Sequence, residues 1–545
     1  MKHMKTLALL LCAVMLLSVL SACGGSTAES GSTVAEPVTE ASEPAEAEAA
    51  ETEEAPVTVA TKKTPEGTFI LAAEAEPANW DPTSGSGPCG RTVWDVIFDR
   101  LIQYNEATGE YEPMLAVSWE YIDDQTLKFE LREGVVFHNG EPLTAEDVQY
   151  SFERISAVNK YAGLVASIDF EATEMPDDYT IIFHLRNTDA ALIANISSAV
   201  FSIVPKDYVE EIGAEAFGQQ PVGSGVMKLD SWTSGDRMTL VANEDYWGEP
   251  LAFDTFVVRF IDDAATRLIE LETGAVDAAM GLDSNAIDSL ANGEIEGGVV
   301  ATIPGWNVRY FGLSTDPKWE LLQDENVRAA IFHAIDVEAI CRSVIGSAGI
   351  YTTSILPDNI AVGYSDHEAY GYDPDLSRSL LAKAGYADGL VINVNVAQGT
   401  LDVKIAEAIQ AYLSEVGITL NVNPMEEFAT VGAAIRGEIE TAFFNSPATA
   451  NEPDQVVKTM KAGSGHGVAE IKITAIADLL DEAAITMDLA ERQSLYEQVQ
   501  DGIYENYILL PINQYVYGYA YLDYVQGFEP SPTGTFFLRG VTVAG

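Results

Sequence analysis

LKFELREGVVFHNGEPLTAEDVQYSFER, residues 127–154, holds a strand, a tight turn and a capped helix in one continuous run. Leu127, Phe129 and Leu131 alternate with polar residues, the period of a half-buried strand. Asn139-Gly140 is a tight-turn signal. Thr144-Ala145-Glu146-Asp147 has capping-box spacing, with Asp in place of Glu or Gln, and predicts a helix through Arg154. Upstream, Thr68–Ala73 reads as a strand and Arg91–Leu101 as a helix. Downstream, Tyr179–Arg186, Gly225–Trp232, Met238–Asn243 and Phe256–Phe260 read as strands, and Ala264–Thr273 as a helix ended by Gly274.

From about residue 306 the rhythm becomes strand–helix alternation. Val308–Leu313, Val391–Val396, Ile418–Val422 and Thr441–Asn445 are the predicted strands. Helices are predicted over 326–344, 378–384, 403–416, 473–488 and 490–505. This pattern argues an α/β lobe. The apolar and aromatic run 508–521 reads as strand that returns to the first lobe.

The 545 residues carry 29 Lys and Arg against 84 Asp and Glu, a net charge of −55. Such a surface repels phosphate backbones and anionic lipid, which argues against nucleic-acid binding and against electrostatic membrane attachment. The six histidines form no HExxH or paired ligand spacing, and there is no Walker A sequence or GxSxG elbow. His466 reads as a solvated loop residue. Gly85-Ser86-Gly87-Pro88-Cys89-Gly90 matches GxGxxG, but the preceding strand ends at Ala73, so it reads as a glycine-rich loop entering a helix. No cofactor or metal is expected.

Lys2 and Lys5 precede the uncharged run Leu7–Leu20, which suits a signal-peptide h-region and is short for a membrane span. Leu20-Ser21-Ala22-Cys23-Gly24 resembles a bacterial lipobox, with Cys23 as the lipidated residue. Residues 23–64 then contain nine glutamates and no aromatic residue, the composition of a disordered acidic tether. A flexible chain of this length spans about 35 Å. Cys89 and Cys341 remain for the folded part, and sequence alone does not place them within bonding distance.

Several segments, taken together, are similar to the extracytoplasmic solute-binding proteins of ABC importers, family 5, the oligopeptide, dipeptide and nickel type. They are WDP at 80–82, VWDVIFDRLIQYNEATGEYEPMLAVSWE at 93–120 and the stretch 127–154. PVGSGVMKL at 221–229, NEDYWG at 243–248, NVRAAIFHAIDVEAI at 326–340, YDPDLSRSLLAKAGY at 372–386 and PINQYVYGYA at 511–520 follow in the family's order. The resemblance implies an α/β fold of two lobes joined by a hinge (periplasmic-binding-protein-like, type II, cluster C), with solute held between the lobes. With the signal peptide read at 1–22, it implies lobe I from 65–105, 201–305 and 511–545, a subdomain of lobe I at 106–200, and lobe II at 306–510.

The implied function is capture of a peptide or similar small solute and delivery to the permease and ATPase subunits of an importer. The protein would be a lipid-anchored monomer on the outer face of the bacterial cell membrane, and no enzyme. A sugar or metal chelate as ligand is the alternative reading; a surface hydrolase or a sensor is a more distant one. The candidate ligand-binding residues are Gly87, Cys89, Trp306, Asn307, Phe444, Asn445, Thr449 and Tyr515. In oligopeptide-binding relatives an aspartate of the second lobe holds the peptide's ammonium group. Here the matching stretch is FFNSPATANEPDQ, 443–455, and Thr449 takes that position. Either Glu452 or Asp454 serves instead, or the site tolerates ligands with a blocked or absent ammonium group.

Overall fold

The computed structural model describes residues 67–84, 87–158, 161–445, 448–461 and 468–543, without the side chains of residues 427, 428, 431 and 444. The signal segment, Cys23, the acidic tether and His466 lie outside the described residues. The described residues belong to one compact unit, Thr61–Gly545.

In the opening stretch, Thr126–Leu131 is a strand whose Leu127, Phe129 and Leu131 point into the core. Gly140 turns the chain at φ 87°, a conformation costly to any residue with a Cβ. The Asp147 carboxylate accepts from the Thr144 N–H (2.9 Å) and hydroxyl (3.1 Å), which starts the helix Ala145–Ser156. Phe152 on that helix stacks on Phe183 at 5.4 Å and meets Phe201 edge-on. The strands Ala116–Asp123, Thr126–Leu131, Thr180–His184 and Glu174–Asp177 form a four-stranded sheet in that order. Its inner face shares one core with Phe69, Leu71 and Phe256 of the main sheet.

An eleven-stranded mixed sheet runs through the unit, ten strands in one row and the short Gly349–Ile350 paired beside Gln514-Tyr515. At its middle, Gly298–Leu313 and Leu509–Leu522 pair antiparallel, from Gly298 opposite Leu522 to Gly312 opposite Leu509. Ala278–Met280, Thr68–Ala73, Thr255–Phe260, Arg237–Ala242 and Met227–Thr233 follow on one side. Thr441–Asn445, Leu390–Ala397 and Ile418–Met425 follow on the other. The two long strands pass from one core to the other. Ala301, Ile303, Tyr517 and Tyr519 pack in the first. Phe311, Leu313, Leu510 and Ile512 pack in the second. The ladder is irregular between Pro304 and Val308, at Gly305-Trp306-Asn307. The shift in register falls between the part of the strand that packs in the first core and the part that packs in the second.

Several elements differ from their sequence reading: the single helix predicted over 326–344 is broken, with Glu325–His333 ending before Asp336, whose carboxylate accepts from the Ala339 N–H and starts a separate helix Val337–Ile340. The strand predicted at Val308–Leu313 starts at Gly298, because its first half pairs with the far half of Leu509–Leu522. The helix predicted at Arg91–Leu101 is Pro88–Ile97. Pro88 suits a first turn because its missing N–H would have had no helical partner. The PVGSG loop lies against the end of this helix: a Cβ on Gly223 would sit 2.1 Å from the Ile97 carbonyl oxygen, and one on Gly225 2.4 Å from that of Val96.

Candidate functional site

The lobes meet through direct hydrogen bonds. Gln455 Nε2 donates to Asn195 Oδ1 at 2.9 Å, and both side chains are buried. Asn451 Nδ2 donates to the Tyr104 hydroxyl at 2.8 Å, and the Ala190 N–H to the Ala484 carbonyl at 3.0 Å. Between the lobes lies a narrow cavity lined from both sides.

Its first-lobe wall is built on the helix Pro88–Ile97 and the hairpin that follows. Arg91 and Asp95 are four residues apart, so they share one helix face and both line the cavity. The Arg91 guanidinium donates to the Thr533 carbonyl at 2.7 Å. Asp95 pairs with Arg100. Glu106, just past the strand Ile102–Asn105, also lines the cavity. Burial pushes its carboxyl up to about 7, against the lowering effect of the Ser531 hydrogen bond. Ser531, Thr533 and Thr535 line the same wall as a ladder of hydroxyls.

The opposite wall carries Trp306 and Thr449. Trp306 is buried and meets Tyr104 edge-on at 6.0 Å. The Thr449 N–H and hydroxyl both donate to Gln455 Oε1, at 2.7 and 3.1 Å. The same Gln455 reaches across the cleft to Asn195, which couples the Thr449 loop to lobe closure.

Other candidates fall around this cavity rather than on it. Asn307 Nδ2 donates to the Tyr517 hydroxyl, and its Oδ1 accepts from the Ala448 N–H at 2.9 Å. It thereby holds the loop that carries Thr449. Asn445 donates to the Tyr515 hydroxyl at 2.8 Å, beside Arg309, whose guanidinium lies 4.5 Å from the Tyr515 ring. Arg309 is fixed by Asp402 at 2.7 Å. Gly87 is exposed at the start of the helix Pro88–Ile97. The Phe444 side chain is outside the described residues.

Cys89 is not among the residues that line the cavity. Its thiol is buried in the first-lobe core, because two helical residues separate it from Arg91 by about 200° and turn it away from the cavity. Burial holds that thiol protonated. Cys341 lies in the second-lobe core, and both cysteines are free.

The two acids considered as replacements at Thr449 are occupied. Glu452 is buried, and its oxygens accept from Arg492 at 2.6 and 3.0 Å. Asp454 pairs with Lys461 at 2.6 Å. Sequence reading missed Arg91, Asp95, Glu106 and the Ser531–Thr535 ladder. The four-residue spacing of Arg91 and Asp95 was the signal for the first two. Nothing local marks Glu106, whose setting comes from residues over 400 positions away.

A second cavity, about 220 Å³, has Tyr351, Tyr370 and Tyr504 near Asp336 and Glu368 in its lining.

Among the described residues no helix is long and apolar enough to cross a membrane, and no cluster of three His, Cys, Asp or Glu is placed to hold a metal ion.

Comparison with known proteins places this architecture. The chain is 28% identical over 523 residues to heme-binding protein A of Haemophilus influenzae, covering 89% of this chain and 94% of that one. It is 26% identical over 512 residues to the dipeptide-binding protein of Escherichia coli, covering 87% and 94%. The solved structure of the ABC transporter-associated periplasmic binding protein DppA from Helicobacter pylori, in complex with the peptide STSA, superposes with a TM-score of 0.77. It is 28% identical and covers 89% of this chain and 99% of its own. Residues 110–467 match the family described as bacterial extracellular solute-binding proteins, family 5, middle region, so the chain belongs to this family of solute-binding proteins of ABC importers.

Proposed function

We propose that the protein captures a peptide or similar small solute in the inter-lobe cavity and hands it to the permease of an ABC importer while tethered to the membrane by lipid at Cys23. The observation that carries this reading is the cavity itself, walled by both lobes and closed by the Asn195–Gln455 and Tyr104–Asn451 hydrogen bonds. A solute inside must wait for the lobes to part, and parting requires bending at Gly305-Trp306-Asn307. Enclosure also couples solute to shape: bound solute bridges the lobes, and a permease can read the closed form. Relatives named for a dipeptide and for a bound peptide support the peptide class. The test is native mass spectrometry of the purified protein, followed by calorimetry with alanyl-leucine. Co-purified peptide, and alanyl-leucine binding lost when Trp306→Ala removes the shared wall, are expected. A co-purified sugar or chelate with no dipeptide binding would replace the peptide assignment.

A further inference from the structure

Asn195 and Gln455 belong to different cores. The helix Leu192–Ile196 packs in the first, and the helix Pro453–Val457 in the one that holds Tyr310 and Tyr496. Both side chains are nonetheless almost wholly buried, at 3% and 1% exposure, because Gln455 Nε2 donates to Asn195 Oδ1 at 2.9 Å. Asn195 Nδ2 donates in turn to the Leu164 carbonyl at 3.2 Å. On its other side Gln455 Oε1 accepts from the Thr449 N–H and hydroxyl, at 2.7 and 3.1 Å. Thr449 lines the inter-lobe cavity, as do Ser197 and Ser198 just past Asn195. One hydrogen-bond chain therefore runs from the cavity wall across the seam, from Thr449 through Gln455 and Asn195 to Leu164. Its donors all point the same way, so each bond polarises the next. Gln455 is held in place for this: Glu452 caps its helix, and Arg492 grips Glu452 at 2.6 Å.

We propose that Gln455 is the latch of the lobes. Through it the cavity wall at Thr449 and the seam at Asn195 act as one hydrogen-bonded unit that sets the balance between open and closed forms. This deepens the reading that solute is enclosed between the lobes, and rests on it for the effect of solute alone.

The direction of the chain fixes that effect. Thr449 gives its single hydroxyl proton to Gln455, so toward the cavity its oxygen only accepts. A solute N–H or O–H donated to that oxygen lengthens the chain by one bond and tightens the seam. The other bonds across the seam, from Asn451 to the Tyr104 hydroxyl and from the Ala190 N–H to the Ala484 carbonyl, have no such link to Thr449.

The Ala190 N–H, held across the seam at 3.0 Å, meets solvent when the lobes part, so its hydrogen–deuterium exchange in the full chain reads closure. Without solute, Gln455→Leu strands Asn195 Oδ1 and the Thr449 N–H in the closed form. It should lower Ala190 protection about tenfold or more and leave the amides of the strand Thr126–Leu131 within about threefold. Asn195→Ala should do the same from the first lobe, and the double variant should fall no further than either alone. Tyr104→Phe removes the neighbouring seam bond, keeps the ring and should cost less than about threefold. Saturating alanyl-leucine should raise Ala190 protection in the wild type, and by a smaller factor in Thr449→Val. Unchanged Ala190 protection in Gln455→Leu would overturn the latch. So would an equal fall in Thr126–Leu131, which would mark a merely structural role, or a fall of the same size in Tyr104→Phe. An equal rise with alanyl-leucine in the wild type and Thr449→Val would break the link from solute to seam. If alanyl-leucine leaves wild-type protection unchanged, the peptide reading falls, and the solute-free comparison still decides the latch.

Discussion

Glu452→Gln should destabilise the fold while leaving solute binding intact. Glu452 and Arg492 are 4% and 2% exposed, and two hydrogen bonds of 2.6 and 3.0 Å join them. Arg492 donates its Nε–H to the Ala483 carbonyl at 3.0 Å, so the pair fixes the 448–455 loop on the helices Thr474–Ile485 and Leu489–Glu505. Burial pushes the Glu452 carboxyl up, and Arg492 pulls it back. Burial alone would lower Arg492, but the carboxylate beside it more than offsets that and keeps the guanidinium charged. Gln keeps an oxygen for the Asp454 N–H that Glu452 now caps at 2.9 Å, so the helix cap survives the change. What is lost is the counter-charge, and an unmatched buried guanidinium costs about 3–5 kcal/mol. For one cooperative unit over Thr61–Gly545, about 2.1 cal/mol/K per residue amounts to about 1 kcal/mol/K of unfolding entropy, so the midpoint should fall about 3–5 °C. Urea denaturation followed by tryptophan fluorescence measures the loss directly. The double variant Glu452→Gln/Arg492→Met buries no charge and should recover at least half of it. Wild-type stability in Glu452→Gln together with lost dipeptide binding would refute the reasoning, because Glu452 would then face the solute.

His138 should make folding sensitive to mild acid. Its Nε2 lies 2.9 Å from the Gly225 carbonyl, its Nδ1 accepts from the Gly223 N–H at 3.3 Å, and burial lowers its pKa to about 4. The unfolded chain takes up this proton near pH 6.5 and the folded protein only near 4, so stability present above 6.5 is lost as pH falls through that window. Between pH 7 and 4.5 the wild type should lose about 2–3 kcal/mol more than His138→Gln in urea titrations; equal losses would count against it. Gly223→Ala should cost about 3 kcal/mol or more, since its Cβ would meet the Ile97 carbonyl oxygen at 2.1 Å and Ile97 cannot yield without moving the helix end. Cys23→Ala should move the protein from the membrane fraction to the soluble one, and unchanged fractionation would remove the lipid anchor from the account.

Local order was readable where one short segment carries its own partners. The strand at Leu127–Leu131, the turn at Gly140 and the box at Thr144–Asp147 needed only alternation, a glycine and a side chain three residues on. The parallel pair Leu390–Ala397 and Ile418–Met425, with Leu401–Glu415 between, announced itself by alternation of strand and helix. The cavity was legible only in part. Trp306 and Thr449 were named from the sequence and both line it. Cys89 was read as part of a glycine-rich loop, but the helix starts at Pro88, so Cys89 lies in its first turn and packs in the core.

Composition, charge, element type and family resemblance were therefore properties of the sequence by itself, since each depends on residues that are near neighbours along the chain. The tertiary structure decided which charges are spent and which are open. Glu452 finds Arg492 forty residues on, Gln455 finds Asn195 two hundred and sixty residues back, and Ser531 reaches Glu106 across 425 positions. A carboxylate is an ion-pair partner or a helix cap according to what stands within 3 Å of it, and contacts at such separations are set by packing of whole lobes rather than by any local pattern.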